Sequence, residues 1–287
     1  MDHLIMFAEM TIQIILIYAL TGVFAGLMGG MLGLGGGIII VPVLHYIFTQ
    51  QGFEPSVVMH QAVTTSLATI IVTSVFATYE HHRKKVVSWF IVNQIAPGIF
   101  LGACFGVFVA DSVSSSGLRT VFGCFEILVA IQIWFGLKPK PMYTEFFSPR
   151  IQKKERYTKL PEKGIFIFTG AIIGLFSTIL GIGGGTLTVP FLLWFNHHMR
   201  TAVATSSACS IPIALVATIT FIFVSWDNSN IFTHSIGYLY WPAALIIVMM
   251  TIFFAPIGAR LAHYLPIEIL KRIFAVLLMF IGVKMLI

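Results

Sequence analysis

The chain contains the same glycine-rich segment twice. Residues 22–44 read GVFAGLMGGMLGLGGGIIIVPVL, and residues 170–192, which lie 148 positions later, read GAIIGLFSTILGIGGGTLTVPFL. Eleven of the 23 paired positions are identical, including the glycine triplets at 35–37 and 183–185 and the prolines Pro42 and Pro190. Identity at a fixed spacing is typical of an internal duplication.

Each copy combines a long apolar run with residues that break helices. Consecutive glycines and a following proline free backbone groups and remove an N–H, so the helix is expected to open there. Free backbone groups at membrane depth are tolerated only inside protein or along a wet cavity. Two such breaks, one per repeat, indicate the binding site of a transporter. The alternative is that the glycines only let helices pack closely, the role we assign to Gly22, Gly26, Gly170 and Gly174.

The composition excludes a soluble domain. The chain is 57% hydrophobic and 10% charged, with a mean hydropathy of +0.94, so an all-α polytopic membrane protein is predicted. Its basic residues cluster in a few short loops, which is typical of membrane orientation rather than of nucleic-acid binding. The cysteines Cys104, Cys124 and Cys209 lie in apolar runs without metal-ligand spacing. No metal and no cofactor are therefore predicted.

The apolar runs predict the order of the membrane segments. Residues 11–48 hold 38 residues without a charged side chain, and as one helix they would be roughly 57 Å long against a hydrocarbon core of ~30 Å. The run must fold back at the glycine cluster, as two short spans or as a hairpin with its tip inside the membrane. Each half is thus a glycine-broken hairpin plus three transmembrane helices: 11–48, 61–79, 89–110 and 118–137, then 164–195, 201–225, 237–262 and 267–287.

Charge fixes the expected orientation. Repeat 1 covers residues 1–137, a basic linker 138–163 and repeat 2 residues 164–287. A hairpin plus three crossings is an odd number, so the two repeats are expected to be inverted, with the N-terminus outside. In that arrangement 15 of the 17 basic residues lie at the inner face, and the linker is cytoplasmic by the positive-inside rule.

The two segments LGLGGGIIIVP and LGIGGGTLTVP are each followed by an Ala-Val-x-Thr-Ser run. This doubled pattern resembles the sulfite exporter TauE/SafE family of membrane permeases, and the resemblance covers essentially the whole chain. It implies movement of a small sulfur-containing anion, such as sulfite or an organosulfonate product, across the inner membrane.

The residues themselves also favour an anion. Helices that begin at a glycine break present free N–H groups and the positive end of a dipole, which bind an anion without a buried cation. Hydroxyl groups that recur after each hairpin are further donors, although membrane Ser and Thr also bond the carbonyl four residues before them. The predicted substrate-binding residues are Gly35, Gly36, Gly37, Thr64, Thr65, Ser66, Gly183, Gly184, Gly185, Thr205, Ser206 and Ser207.

Glu126 is the one carboxylate well inside an apolar span. An acidic group at membrane depth indicates proton coupling, and a protonated packing residue is the alternative. The repeat gives Leu278 at the equivalent position.

These patterns predict a secondary exporter or permease for a small anion, either sulfite or an organosulfur or organic acid anion. A passive anion channel and a polytopic membrane enzyme are the alternatives. The enzyme is disfavoured because there is no HExxH motif, no paired carboxylates and no Cys/His cluster. The expected partners are the small anionic substrate, the lipid bilayer and protons as the coupling ion; no nucleic acid is expected, and a homo-oligomer stays open.

Overall fold

The computed structural model describes residues 2–33, 35–135, 163–195, 197–226, 232–262 and 267–287, without the side chains of 2–11, 163 and 267–274. The predicted linker 138–163 lies outside these residues, apart from Lys163. Within the described ranges the chain forms ten helices: α1 (Asp2–Leu32), α2 (Gly37–Gln50), α3 (Val58–Arg83), α4 (Trp89–Ser112), α5 (Ser115–Trp134), α6 (Lys163–Leu180), α7 (Gly185–Trp194), α8 (Met199–Val224), α9 (Trp241–Leu261) and α10 (Ile267–Leu286).

The predicted class, an all-α polytopic membrane protein, is confirmed. Six helices are long and apolar enough to cross a membrane: Ile12–Leu32 of α1, α3, α4, α5, α8 and α9. Large apolar side chains such as Phe105, Leu128 and Phe253 point outward with more than 60% of their surface exposed. Such a surface is stable only against lipid or another apolar partner.

The second helix of each half is too short to cross. With 14 residues in α2 and 10 in α7, these helices rise about 21 and 15 Å at 1.5 Å per residue, against a core of ~30 Å. The glycine break therefore produces a long helix followed by a short one. This asymmetry was not specified by the sequence pattern, which allowed two equal short spans as well.

A short β-hairpin stands where the sequence predicted the start of the span 237–262. Strands β1 (Ser235–Ile236) and β2 (Leu239–Tyr240) pair in antiparallel register, and Gly237 in the connecting turn has a φ of +54°. A left-handed residue at a tight turn favours glycine, which has no Cβ to clash. The helix α9 consequently begins at Trp241, four residues later than expected.

The first helix of each half packs on the fourth helix of the other half, so α1 lies against α9 and α6 against α4. Glycines make these contacts close. A methyl group on Gly22 would stand 2.7 Å from the carbonyl oxygen of Ile247, and one on Gly170 would stand 2.5 Å from that of Ile95. The packing role predicted for these two glycines matches the geometry.

The third and fifth helices of the two halves pair with each other, α3 with α8 and α5 with α10. The pair α5–α10 is antiparallel, because Arg119 near the start of α5 donates to the carbonyl oxygen of Met285 near the end of α10, at 2.6 Å. The pair α3–α8 is antiparallel too, as hydrogen bonds described below demonstrate. Exchange of the two halves therefore leaves this set of helix contacts unchanged.

Candidate substrate-binding site

The first glycine loop joins α1 to α2 by backbone conformations that only glycine adopts easily. Gly33, Gly35 and Gly36 have φ values of +70°, +70° and +83°. At Gly36 the surroundings exclude a side chain as well, because a methyl group there would lie 2.7 Å from the carbonyl oxygen of Ala25. This explains why the sequence carries a cluster here instead of spaced single glycines.

The second loop joins α6 to α7 and differs from the first at one position. Gly181 and Gly183 have φ values of +66° and +65°, whereas Gly184, the N-cap of α7, has a φ of −75°. The equivalent N-cap of α2 is the left-handed Gly36. A glycine is therefore conformationally required at position 36 but not at position 184.

The two loops touch each other. A methyl group on Gly37 would overlap the carbonyl oxygen of Gly181 and would stand 2.6 Å from the Cα of Ile182. Ile70 lies beside both loops, with its side-chain atoms 2.8 to 3.2 Å from the positions of methyl groups on Gly35, Gly37 and Gly183. Because Ile70 is the middle residue of the 26-residue α3, the loops meet halfway along that helix.

Two serine hydroxyls link each repeat to the glycine loop of the other. Ser66 Oγ on α3 donates to the carbonyl oxygen of Gly181 at 2.8 Å, and Ser206 Oγ on α8 donates to that of Gly33 at 3.2 Å. Ser206 Oγ also lies 2.8 Å from the carbonyl oxygen of Val203. These bonds are equivalent under exchange of the repeats, and they satisfy carbonyls that the loops leave without helical partners.

Two threonine hydroxyls hold the connections that precede α9 and α4. Thr65 Oγ1 accepts from the N–H of Tyr240 at 3.0 Å, and Thr205 Oγ1 accepts from the N–H of Ser88 at 3.1 Å. Since Thr65 is near the start of α3 and Ser88 follows its end, these two bonds lie at opposite ends of α3. The start of α8 thus lies at the end of α3, which makes the pair antiparallel.

All twelve predicted substrate-binding residues are buried. Ser207 Oγ donates to the carbonyl oxygen of Val203 in its own helix at 3.1 Å, the local bond that the sequence analysis gave as the alternative. Thr64 Oγ1 is buried and has no hydrogen-bond partner among the described residues. The structure thus brings the two glycine loops together at the centre, where the Ser66 and Ser206 hydroxyls bond them. Thr65 and Thr205 instead bond the connections at the two ends of α3.

Sequence reasoning missed a second group of hydroxyls, on the two helices that flank the second loop. Their oxygens are buried and have no partner among the described residues: Ser177, Thr178, Thr186 and Thr188. A comparison of the two repeats would have singled them out, because hydroxyls occur at these positions in the second half only. The equivalent residues of the first half are Gly29, Gly30, Ile38 and Ile40.

Glu126 lies on α5 and is fully buried. Both of its carboxylate oxygens lack a hydrogen-bond partner within the described chain, and its Cβ is 3.2 Å from the position of a methyl group on Gly282 of α10. The Glu126 side chain therefore lies between the paired fifth helices, α5 and α10.

An ion pair links α3 to α9 at the end of α3 that carries the basic loop. Arg260 donates to both carboxylate oxygens of Glu80, with Nε at 2.9 Å and Nη2 at 3.2 Å. The Glu80 side chain is 8% exposed and that of Arg260 is 56% exposed. A bidentate pair fixes the relative position of two helices more strictly than a single contact.

At the other end of α3, aromatic rings pack the β-hairpin connection against the loop after α2. Phe53 stacks on Phe232 with ring centroids 3.9 Å apart and on Phe48 with centroids 4.3 Å apart. Tyr238 Oη donates to Asp111 Oδ1 at 3.1 Å. In the described part of the chain, no three His, Cys, Asp or Glu side chains come together as a metal site would require.

The paired glycine loops within a bundle of apolar helices define a membrane transporter. The sulfite exporter TauE/SafE family model matches residues 18–285. The chain belongs to this family of membrane permeases.

Relatives with known sequences agree with that assignment. The chain is 29% identical over 272 residues to a "Probable membrane transporter protein" of Haemophilus influenzae, covering 94% of this chain and 97% of the relative. It is 27% identical over 275 residues to the "Probable membrane transporter protein YunE" of Bacillus subtilis, covering 94% and 96%. A similar relative from Methanocaldococcus jannaschii is 28% identical over 268 residues, with 93% of both chains covered. No solved structure matches the chain.

Proposed function

We propose that this permease is a secondary transporter of a small anion, either sulfite or an organosulfur or organic acid anion, and that it acts as an exporter in the inner membrane. The observation that carries the proposal is the meeting of the two glycine loops beside Ile70, halfway along α3. The short helices α2 and α7 both begin there, and their first N–H groups lack helical acceptors. Two positive dipole ends at one buried place favour an anion.

The two halves are inverted about an axis in the membrane plane. The antiparallel packing of α3 on α8 and of α5 on α10 supports this, since an axis along the membrane normal would make equivalent helices parallel. With the N-terminus outside, the β-hairpin connection lies at the outer face and the basic loop after α3 at the inner face, in agreement with the positive-inside rule.

In this proposal, alternating access makes and breaks two equivalent hydrogen bonds, one on each side of the membrane. Opening of the outer side breaks the bond from Tyr240 to Thr65, and opening of the inner side breaks the bond from Ser88 to Thr205. The substrate is held between the loops while one of these connections is closed. The ion pair of Glu80 with Arg260 closes the inner side in addition.

Protons are the coupling ion in this proposal, and Glu126 carries them. This buried carboxyl group has no hydrogen-bond partner within the described ranges. It is therefore available for proton uptake and release when α5 and α10 move relative to each other. Because the carboxyl group lies between α5 and α10, coupling to transport operates through the movement of these two helices.

Flux measurements in proteoliposomes test the function. The purified protein is assayed against sulfite, thiosulfate, methanesulfonate and acetate, with and without a pH gradient. A carrier gives saturable flux that responds to the gradient, whereas a channel gives flux that rises linearly with concentration. Absence of flux for all four anions overturns the assignment of an anionic substrate.

A further inference from the structure

Ile70 stands between the two glycine loops. Its side chain is fully buried, and its Cγ2 atom is 2.9 Å from the position of a methyl group on Gly35 and 3.2 Å from that of one on Gly183. Its Cδ1 atom is 2.8 Å from the corresponding position on Gly37, the first residue of α2. One side chain therefore packs on the backbone of both loops, beside the start of a helix whose first N–H groups have no acceptor within the helix.

The glycine triplets have no side chains of their own. The space between the loops is therefore bounded by backbone and by the side chains of the helices that pack on them. Among the described residues, Ile70 is the one whose side chain is a nearest neighbour of both triplets. Because a close-packed backbone yields little, the width of this space depends on the size of the Ile70 side chain.

The repeat has Ser210 of α8 at the position of Ile70 of α3. Ser210 Oγ is 3.3 Å from the position of a methyl group on Gly183, so the two equivalent residues approach the same glycine. The Ser210 hydroxyl accepts from the N–H of Gly184 at 3.0 Å and donates to the carbonyl oxygen of Ser206 at 3.0 Å. A small side chain thus occurs at this place in one half, and the bulk of Ile70 is not a requirement of the duplicated backbone.

Each loop also has a buried hydroxyl beside it that has no partner among the described residues. Ser74 Oγ of α3 is 3.6 Å from the position of a methyl group on Gly35, and Thr188 Oγ1 of α7 is 3.2 Å from that of one on Gly184. Both side chains are at least nine-tenths buried. An unpaired buried hydroxyl lowers the stability of a fold, so these two groups indicate donors that are available to a ligand at the loops.

We propose that Ile70 is the specificity-determining residue of the anion site. Its side chain limits the space between the two loops to a small oxyanion, and Ser74, one turn further along the same helix, donates a hydrogen bond to that anion. The inference rests on the proposed transport of an anion and adds which residue selects among anions. Sulfite and methanesulfonate fit such a site, whereas a sulfonate with a longer alkyl chain must displace the Ile70 side chain.

Calorimetric titration of the purified full-length protein with methanesulfonate and with propanesulfonate tests the size limit. The parent should bind methanesulfonate more tightly. Ile70→Ala widens the space between the loops and should shift the ratio of the two Kd values in favour of propanesulfonate by about 10- to 200-fold, the range for a methylene group that a pocket accepts or rejects. Ile70→Val removes only Cδ1 and should shift the ratio in the same direction by less. This milder variant keeps the test open if Ile70→Ala folds poorly.

The variant Ser74→Ala tests the donor in the same assay. Loss of a hydrogen bond to the charged sulfonate group should raise both Kd values by the same factor, roughly 10- to 100-fold. The ratio of the two Kd values should stay at that of the parent, because both ligands carry the same head group. This result separates a contact to the head group from a change in the size of the site.

Two matched controls separate the site from general packing. Ile91→Ala makes the same change at a buried isoleucine near the start of α4, and it should leave the ratio of the two Kd values unchanged. Thr78→Val removes another buried hydroxyl without a described partner, one turn beyond Ser74 on α3. It should leave both Kd values unchanged.

The outcomes are distinguishable. If the parent binds both sulfonates equally well, or if Ile70→Ala and Ile70→Val keep the ratio of the parent, the size limit is wrong and the transport of an anion stands. If Ile91→Ala shifts the ratio as far as Ile70→Ala, the effect is not local and the size limit is also wrong. If Ser74→Ala binds like the parent, or Thr78→Val loses as much affinity, Ser74 is not the donor. If the parent binds neither sulfite nor either sulfonate, the proposed anion transport fails and the inference fails with it.

Discussion

Ser66 of the first half donates its hydroxyl hydrogen to the carbonyl oxygen of Gly181 in the second half, at 2.8 Å. Ser66 is fully buried, and Gly181 directly follows α6, at the start of the second loop. The equivalent bond from Ser206 to Gly33 makes the relationship reciprocal. Each half thus fixes the loop of the other.

Loss of this bond should lower the stability of the folded protein by a measurable amount. In Ser66→Ala the buried carbonyl of Gly181 loses its donor, and we expect a decrease of about 1–3 kcal/mol in the free energy of unfolding. Ser207→Ala is the control, because Ser207 bonds only a carbonyl of its own helix. Thermal melting of both variants in detergent compares them. Equal melting temperatures for the two would show that the bond between the repeats contributes nothing extra.

The two N-cap glycines should respond differently to alanine. Gly36→Ala forces a side chain into a φ of +83° and against the carbonyl oxygen of Ala25, a strain of about 1–3 kcal/mol. Gly184→Ala keeps an ordinary φ of −75°, and its methyl group meets the end of the Ile213 side chain at 2.7 Å, which can rotate away. Folded yield and melting temperature should fall much further for Gly36→Ala. A larger loss for Gly184→Ala would contradict the backbone geometry.

The close helix pairs should not tolerate a methyl group. A Cβ on Gly102 of α4 would overlap the carbonyl oxygen of Ala171 on α6, so Gly102→Ala must separate the helices. We expect a loss of at least about 1–3 kcal/mol, as for other overpacked sites, and a low yield on size-exclusion chromatography. Gly164→Ala is the control, since a methyl group there meets nothing within 4 Å. A normal yield of Gly102→Ala would show that α4 and α6 are not in contact in the membrane.

The pair of Glu80 with Arg260 gives a testable coupling between α3 and α9. Arg260→Met leaves the buried Glu80 carboxylate with only the longer contact to Arg83, at 3.8 Å, and we expect a loss of about 1–3 kcal/mol. The double variant Glu80→Gln/Arg260→Met should recover part of that loss, because the buried carboxylate is no longer charged. Denaturation of Glu80→Gln, Arg260→Met and the double variant completes a double-mutant cycle. Additive losses would show that the two side chains act independently.

Cysteine labelling tests the inversion of the halves. In a background without the three native cysteines, Glu54→Cys and Thr233→Cys should label from the same side, because Phe53 stacks on Phe232 next to them. Lys85→Cys, at the other end of α3, should label from the opposite side. With the N-terminus outside, the first two react with an impermeant reagent added to intact cells. Labelling of all three from one side would contradict the crossing of α3.

The glycine loops could be predicted from the sequence because their chemistry is local. A cluster of glycines followed by proline breaks a helix in almost any surroundings, and its repetition identified both halves and the family. The difference between Gly36 and Gly184 could not be predicted in the same way. The two residues occupy equivalent positions of the repeated segment, and nothing in that segment indicates that their φ values differ. Gly36 stands against Ala25 of α1, whereas Gly184 stands against Ile213 of α8.

The hydrogen bonds around the loops were beyond sequence reasoning for a similar reason. Ser66 and Gly181 lie 115 positions apart, and no pattern within one repeat indicates their contact. The hydroxyl runs were recognised, but their division into connecting, loop-fixing and unpaired groups depends on side-chain direction. The inversion of the repeats, the twelve site residues and the role of Glu126 stay predictions.

The crosswise packing of α1 on α9 and of α4 on α6 has a consequence for biosynthesis. A ribosome completes α1 long before α9, with the 208 residues between Leu32 and Trp241 still to be made. Until then the glycine-lined face of α1 exposes backbone to lipid. The glycine-lined face of α4 is exposed in the same way until α6 has been made. A truncated protein that ends after α5 would leave both faces uncovered and should be degraded. Two half-length copies inserted in opposite orientations would cover both faces.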